Sequence, residues 1–375
     1  MDYGNTIIFY LAFFAVSILL AQYLVLIFRA LFFWVDFSKS NHNYFPKVSV
    51  LVTSRNEEKD LPNLLASLQE LDYPSEQLEF LMADDQSEDG TLGILEEWKE
   101  RTTNCKVFSI KGQQLGKFPI NGKANALAIM AKEAKGDFLF FTDADCVVGK
   151  NWVKEGVNSF SEDLGLLNGV TELESHTLFA EFQKIDWWNI LGITKIVSDM
   201  GAHTTGLGNN MVISRKAYLE SGGYENTKFS WTEDLEISRS INRLGFQVHQ
   251  QVSPGMLLKT KAERSWSDLL KQRKRWLKGV VSLPWKWKVS LGFHLLFFPA
   301  IAWILASNVS FGFGIWGLKI LLQSIFIMVV SNKAGRKLSW FVLAIYDFYY
   351  LLASSLTILY YFWPSKITWK SRNYL

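Results

Sequence analysis

The chain of 375 residues carries 39 Lys and Arg against 36 Asp and Glu, and a net charge of +3 is too small to imply nucleic acid binding. Hydrophobic residues make up 49% and aromatics 15%, yet 20% are still charged, which fits a soluble domain joined to apolar segments rather than either alone. The two cysteines, Cys105 and Cys146, form no zinc spacing and no disulfide framework, and free thiols suit a reducing compartment.

The first apolar stretch, Thr6 to Phe28, has no charged residue and is long enough to span a bilayer as a helix. A cleaved signal peptide is the rival reading. It would want a basic start and a shorter apolar core, whereas this start is acidic at Asp2. Arg29, Lys39 and Lys47 follow, so the positive-inside bias puts the N-terminus outside and the next segment in the cytosol.

From residue 46 to about 265 strands and helices alternate. "KVSVLVTS" reads as a β-branched strand, "EKDLPNLLASLQEL" as an amphipathic helix, and "LEFLMADD" as a second strand ending in acids. "GTLGILEEWKER" is a second helix, "CKVFSI" a short strand, "KGQQLGKFPINGK" a loop and "ANALAIMAKEAK" another helix. Such alternation predicts an α/β domain with a mainly parallel sheet. Ligands of such sheets gather at the carboxyl ends of the strands.

The next strand, "FLFFTDADCV", ends in Asp143 and Asp145. Three readings compete. The acids can be solvated in a surface turn, or point together at a divalent cation, since alternate side chains of extended backbone share a face. They can also be an acid/base pair, which is disfavoured because so close a spacing leaves no room for substrate. Hard carboxylate oxygens suit Mg²⁺ or Mn²⁺. Because Asp84 and Asp85 end a neighbouring strand, an acidic sheet edge becomes the better reading than two isolated turns.

Beyond residue 265, "KQRKRWLKG" and "LPWKWK" interleave basic and aromatic residues, the pattern of an interfacial helix. Three apolar blocks follow, roughly Ser290–Asn308, Phe311–Val330 and Leu338–Trp363, interrupted by Lys319 and Asp347. Charges inside membrane segments usually face protein or water. The expected organisation is therefore an anchor (1–35), a cytosolic domain (46–265), an interfacial segment (266–289), membrane helices (290–363) and a tail (364–375). One crossing before the domain and three after it would leave the tail outside.

Seven motifs in order, "VSVLVTSRNEE", "LMADDQSEDGT", "NGKANAL", "FTDADC", "GLGNNMVISR", "WTEDLEISRSINRLGF" and "QRKRW", resemble the family-2 inverting glycosyltransferases over most of residues 48 to 276. The resemblance implies a GT-A fold, Rossmann-like and nucleotide-sugar-binding, joined to transmembrane and interfacial helices. It assigns Thr53, Arg55, Glu57 and Asp85 to the nucleoside, and Lys123 to the diphosphate. Asp143 and Asp145 become the cation pair, with Asp143 also close to the donor. Asp234 becomes the general base supported by Glu233. Gly208, Asn209 and Asn210 fall on the acceptor side. Gln272, Arg275 and Trp276 carry the Q-x-x-R-W motif, with Arg275 on the diphosphate and Gln272 and Trp276 towards the acceptor. Duller readings stand beside these: Glu57 as a helix cap, Lys123 as a surface lysine, and Asp234 as an acid in a helix's first turn. His203 has no His or Cys partner nearby and reads as structural or acceptor-lining.

The implied partners are a nucleotide-sugar donor, a lipid or glycan acceptor and membrane lipids, with no nucleic acid. The tail, "TWKSRNYL", resembles endings of hyaluronan synthases and of ceramide-type and carotenoid-type glucosyltransferases, where it lies on the cytosolic face. That conflicts with the crossing count above. The leading expectation is transfer of one sugar to a lipid hydroxyl at the cytosolic face of a bacterial inner membrane. A processive polysaccharide synthase is the alternative, and an inactive membrane scaffold is the alternative from another class.

Overall fold

A computed structural model describes residues 3–39, 45–110, 122–202, 205–227, 230, 232–364, 367–369 and 372–374. The predicted loop over 111–121 and His203 lie outside the described residues, as do the side chains of the tail. In chain order the principal elements are α1 (Tyr3–Phe32), β1 (Val48–Ser54), α2 (Leu61–Gln69), β2 (Leu78–Asp84), α3 (Thr91–Arg101) and β3 (Cys105–Ser109). Next come α4 (Gly122–Glu133), β4 (Phe138–Asp143), β5 (Cys146–Val147), α5 (Trp152–Asn158), β6 (Leu164–Asn168) and β7 (Val170–Glu174). The remainder are α6 (Leu178–Asp199), β8 (Asn210–Ser214), α7 (Arg215–Ser221), α8 (Glu233–Arg243), β9 (Gln247–Gln250), β10 (Leu257–Lys261), α9 (Trp266–Val281), α10 (Trp285–Ser307), α11 (Val309–Lys333), α12 (Trp340–Phe362), β11 (Ile367–Trp369) and β12 (Arg372–Tyr374).

The chain divides into two compact units. One comprises Val35–Ser175, Val197–Ala262 and Lys366–Leu375. Its main sheet runs β3-β2-β1-β4-β8-β6-β9. β1 is parallel to both β2 and β4, while β8 runs antiparallel to β4 and β6. All seven residues of β1 are buried, as a central parallel strand covered on both faces requires. The period of two then sorts them. Val48, Val50 and Val52 pack under α2, α3 and α5, whereas Leu51 packs under α4, α7 and α8. A smaller sheet, β5-β10-β7, adjoins the end of β4, and β11 and β12 form an antiparallel pair. This is the mixed α/β sandwich expected of the GT-A fold.

The other unit comprises Met1–Trp34, His176–Ile196 and Glu263–Ser365. Four of its helices, α1, α10, α11 and α12, are long and apolar enough to cross a membrane. Most of α6 groups with them, although its sequence lies within the stretch read as the α/β domain. The physical reason is a buried charge pair. Asp186 of α6 accepts from Arg273 Nη2 of α9 at 2.6 Å and from the Tyr346 hydroxyl of α12 at 2.6 Å. Inside the bundle, Lys319 of α11 pairs with Asp347 of α12, whose other oxygen accepts from Trp316 Nε1 at 2.6 Å.

Candidate functional site

The strand ends of β1, β2 and β4 lie side by side by register: Thr53 opposite both Ala83 and Asp143, and Ser54 opposite Asp84. Thr53, Arg55, Glu57 and Asp85 follow from this edge and are each under 9% exposed. The Asp85 N–H bonds Ser54 O at 2.8 Å. Arg55 donates Nη1 to the carbonyls of Asp85 at 2.7 Å and Gln86 at 3.0 Å, so it staples the two turns together. Asn56 and Gln86 adopt positive φ in those turns (53° and 57°), a geometry that asparagine and other polar residues tolerate where a β-branched residue would not. Glu57 is fixed at its N–H by Thr91 Oγ1, 2.8 Å away.

β4 stops at Asp143. Ala144 and Asp145 then form a turn into β5, so the two acids sit around a bend rather than on one face of a continuous strand. They nonetheless share a neighbourhood. Both bear on the buried Cys146 thiol, which is pushed up first by burial and then by the Asp145 and Asp143 charges. Each also has its own lysine. Lys123, in the first turn of α4, pairs with Asp143 and lies 3.9 Å from Glu233 Oε1. Burial pulls the Lys123 ammonium down, but Asp143, Glu233 and Asp234 more than offset this and hold its proton firmly. Lys261, at the end of β10, reaches Asp60 at 2.5 Å, Glu57 at 3.2 Å and Asp145 at 3.9 Å.

Asp234 is the second residue of α8, which Glu233 opens after Thr232, whose side chain makes no capping bond. The Asp234 carboxylate is held at both oxygens: Oδ1 accepts from the Leu235 N–H at 2.8 Å and Oδ2 from the Gly208 N–H at 2.9 Å. Burial and the adjacent Glu233 charge raise its pKa to about 6, against the pull of those two N–H groups and of Lys123. Gly206 and Gly208 permit the approach. A Cβ on Gly206 would run into the Asp234 backbone, and one on Gly208 would lie 3.1 Å from Asp234 Cβ.

Asp143, Glu233 and Asp234 therefore converge through Lys123, and all three also bear on the buried Tyr224 hydroxyl. Asp143 and Asp145 offer hard carboxylate oxygens, and no cluster of three or more His, Cys, Asp or Glu suited to a metal occurs among the described residues. That donor set fits a Mg²⁺ or Mn²⁺ taking its other ligands from phosphates and water, rather than an all-protein cage.

Asn210, expected on the acceptor side, is fully buried: it donates to Val170 O at 2.7 Å and Met256 O at 2.8 Å and accepts from Trp152 Nε1 at 3.0 Å. Those three bonds engage both amide hydrogens and the carbonyl oxygen of its side chain in joining the two sheets. Asn209 is half-buried, its carbonyl taken by Thr142 Oγ1 at 3.0 Å. Arg55, expected at the nucleoside, donates Nη1 to two turn carbonyls at this strand edge. Lys261 was not anticipated. Its one sequence signal is a lysine ending the strand "LLKTK".

Gln272, Arg275 and Trp276 belong to the unit of apolar helices and are described within it. On α9, Gln272 Nε2 donates to Glu263 at 2.9 Å, and Trp276 packs edge-on against Trp187 with ring centroids 5.1 Å apart. Arg275 is half-buried with no hydrogen bond or ion pair among the described residues.

Known proteins similar to this chain are glycosyltransferases. The chain is 27% identical over 256 residues to the probable glycosyltransferase YdaM of Bacillus subtilis (strain 168), covering 64% of this chain and 57% of that protein. It is 25% identical over 244 residues to a poly-beta-1,6-N-acetyl-D-glucosamine synthase of Staphylococcus epidermidis, covering 64% and 56%. The chain thus spans little more than half the length of these curated relatives. Among solved structures, the mannosyltransferase PcManGT of Pyrobaculum calidifontis, in complex with GDP-Man and Mn²⁺, superposes with a TM-score of 0.58 at 16% identity, over 94% of this chain and 95% of that one. At that identity the likeness speaks for the fold. The model of glycosyl transferase family 21 matches residues 10–375, and the chain belongs to that family of glycosyltransferases.

Proposed function

We propose that the protein is a membrane-bound inverting transferase that moves a sugar from a nucleotide-activated donor, a UDP-sugar by preference, to a lipid hydroxyl at the cytosolic face of a bacterial inner membrane. The observation that carries it is Asp234, a half-buried carboxylate with its pKa raised to about 6 and its oxygens fixed by Gly208 and Leu235. A base near neutrality held in one orientation is what general base catalysis needs. Asp234 takes the proton of the acceptor hydroxyl as that oxygen attacks the anomeric carbon. The bond to the diphosphate breaks on the opposite face, its electron pair leaving with the nucleotide.

Lys123 holds Asp143 and Glu233, and its ammonium meets the phosphate charge at the first turn of a helix, a position that favours anions. Asp143 and Asp145 would hold the divalent cation. Bound there, the cation supplies electrostatic stabilisation of the departing diphosphate. The Mn²⁺ and GDP-Man of the mannosyltransferase with the same fold support this reading. Thr53, Glu57 and Asp85 are assigned to the nucleoside, and Gly208 to the acceptor side. The roles of Gln272, Arg275 and Trp276 rest on the resemblance of their motif alone.

A processive polysaccharide synthase is the second reading, favoured by the Staphylococcus epidermidis relative. The scaffold reading is opposed by the retention of Asp85, Asp143, Asp145 and Asp234. The test is incubation of the purified full chain with UDP- and GDP-sugars, Mn²⁺ and a bacterial lipid extract. A discrete glycolipid supports lipid transfer, a long polymer supports the synthase, and neither transfer nor donor hydrolysis refutes both.

A further inference from the structure

Both acids of the "DAD" turn are already attended by a tethered cation, and the two attachments differ. Lys123 bonds Asp143 directly, whereas Lys261 stands 3.9 Å from Asp145 and is held more closely by Asp60 at 2.5 Å and Glu57 at 3.2 Å. Strand β10 supports Asp145 twice. Thr260 Oγ1 donates to the Asp145 carbonyl at 3.2 Å, and the next residue places its ammonium towards the Asp145 carboxylate. β10 is itself clamped between β5, antiparallel, and β7, parallel, so Lys261 approaches from a rigid strand. Three carboxylates around one ammonium leave the cluster net negative. Glu57, only 4% exposed, is the member that most needs a permanent counter-charge.

Resting on the reading that Asp143 and Asp145 hold a divalent cation, we infer that Lys261 is a built-in competitor for Asp145 that sets the affinity of this site for metal. With no metal bound, Lys261 shares its charge among Asp145, Glu57 and Asp60. When a divalent cation arrives, Asp145 turns to it, and Asp60 and Glu57 retain the lysine. Two positive charges cannot both sit within about 4 Å of one carboxylate without mutual repulsion, so part of the binding free energy is spent against Lys261. Asp60 lowers that cost by drawing the ammonium away. Lys261 is thus a positioning residue and makes no contact with the reacting atoms.

The test is Mn²⁺ binding, followed through the electron paramagnetic resonance signal of free Mn²⁺ on the purified full chain, with and without UDP and without turnover. Lys261→Met should tighten Mn²⁺ binding by about tenfold, given that Lys261 is half exposed and its field partly screened. Lys261→Arg, which keeps the charge, should stay within about threefold of the parent. Asp60→Asn should weaken binding in the parent, and that effect should shrink in the Lys261→Met background if Asp60 acts by holding the lysine. Should the methionine variant not fold, Lys261→Gln repeats the measurement. Unchanged or weaker Mn²⁺ binding in the charge-removed variants overturns the inference while leaving the metal site standing. If the parent chain binds Mn²⁺ neither alone nor with UDP, the metal-site reading itself fails.

Discussion

Gly208 donates its backbone N–H to Asp234 Oδ2 at 2.9 Å, and its own α-carbon faces the same side chain so closely that an added methyl would lie 3.1 Å from Asp234 Cβ and 3.3 Å from Oδ2. The contact is tight without being prohibitive, so Gly208→Ala should fold but displace the carboxylate by a few tenths of an ångström. Since a misplacement of about 1 Å can cost about a hundredfold, this smaller shift should cost transfer up to about tenfold. At Gly206 the obstruction is the backbone of Asp234 and Leu235, which cannot step aside. Gly206→Ala should therefore lower the melting temperature as well as activity, whereas Gly208→Ala should lower activity alone. Paired thermal melts and initial rates on the two variants decide it.

The raised pKa of Asp234 gives a pH profile with a definite sign. As a base it must be ionised, so transfer should fall away below about pH 6, and Asp234→Asn should abolish transfer while retaining nucleotide binding. Stability should move the other way. Between the ordinary carboxylate range and about 6, the folded chain holds a proton that the unfolded chain has released. Folding stability from this group is then lost as pH rises through that window, by on the order of 3 kcal/mol in all. Asp234→Asn should flatten that loss. Melting curves from pH 4 to 8 in chelator, alongside rates with Mn²⁺ in the same buffers, measure both arms. An activity profile flat down to pH 5 would remove Asp234 from the role of base.

Asn210, placed by resemblance on the acceptor side, has the bonding of a buried strut. Replacing it by alanine leaves the Val170 and Met256 carbonyls and the Trp152 indole N–H without their buried partner. Each of the three orphaned groups costs about 1–3 kcal/mol, so Asn210→Ala should lose at least about 3 kcal/mol in total. The same side chain explains why residue 169 is glycine, since a Cβ there would collide with the Asn210 amide. Denaturant unfolding should show the loss, and the folded fraction of Asn210→Ala should keep the parent KM for both substrates. A large rise in acceptor KM at unchanged stability would return Asn210 to the acceptor side.

What could be read from the sequence, and what could not, divides by the range of the interaction. The buried β-branched run of β1, the acids ending β2 and β4, and Lys123 and Asp234 in the first turns of their helices all depend on local pattern, and the structure places them where that pattern points. Asp143 and Asp145 are legible as neighbouring acids, but the local string leaves turn and extended strand both open, and the structure has the turn at Ala144. Lys261 was missed since its partners Glu57 and Asp60 lie more than 200 residues earlier in the chain. The grouping of most of α6 with the apolar helices was missed likewise: Asp186 looks like a polar position on a soluble helix until Arg273 and Tyr346 are brought to it.

Long-range charge pairing also governs the apolar helices. Lys319 and Asp347 are each 1% exposed and bonded to one another, with Gln323 and Trp316 completing their shells at 2.7 Å and 2.6 Å. The Lys319 ammonium also lies 5.1 Å from the ring centroid of Phe297 and 5.4 Å from that of Tyr350. Such a pair contributes less through its attraction than through the penalty for breaking it. Lys319→Met strands the Asp347 charge in an apolar bundle, and Asp347→Leu strands the lysine; each should cost roughly 3–5 kcal/mol. The double variant removes both charges, so its loss should be well below the sum of the two and smaller than either alone. Thermal unfolding in detergent, read by tryptophan fluorescence, measures the cycle. Additive losses would mean that the two residues act independently, and that the link between α11 and α12 is carried by the surrounding aromatic rings.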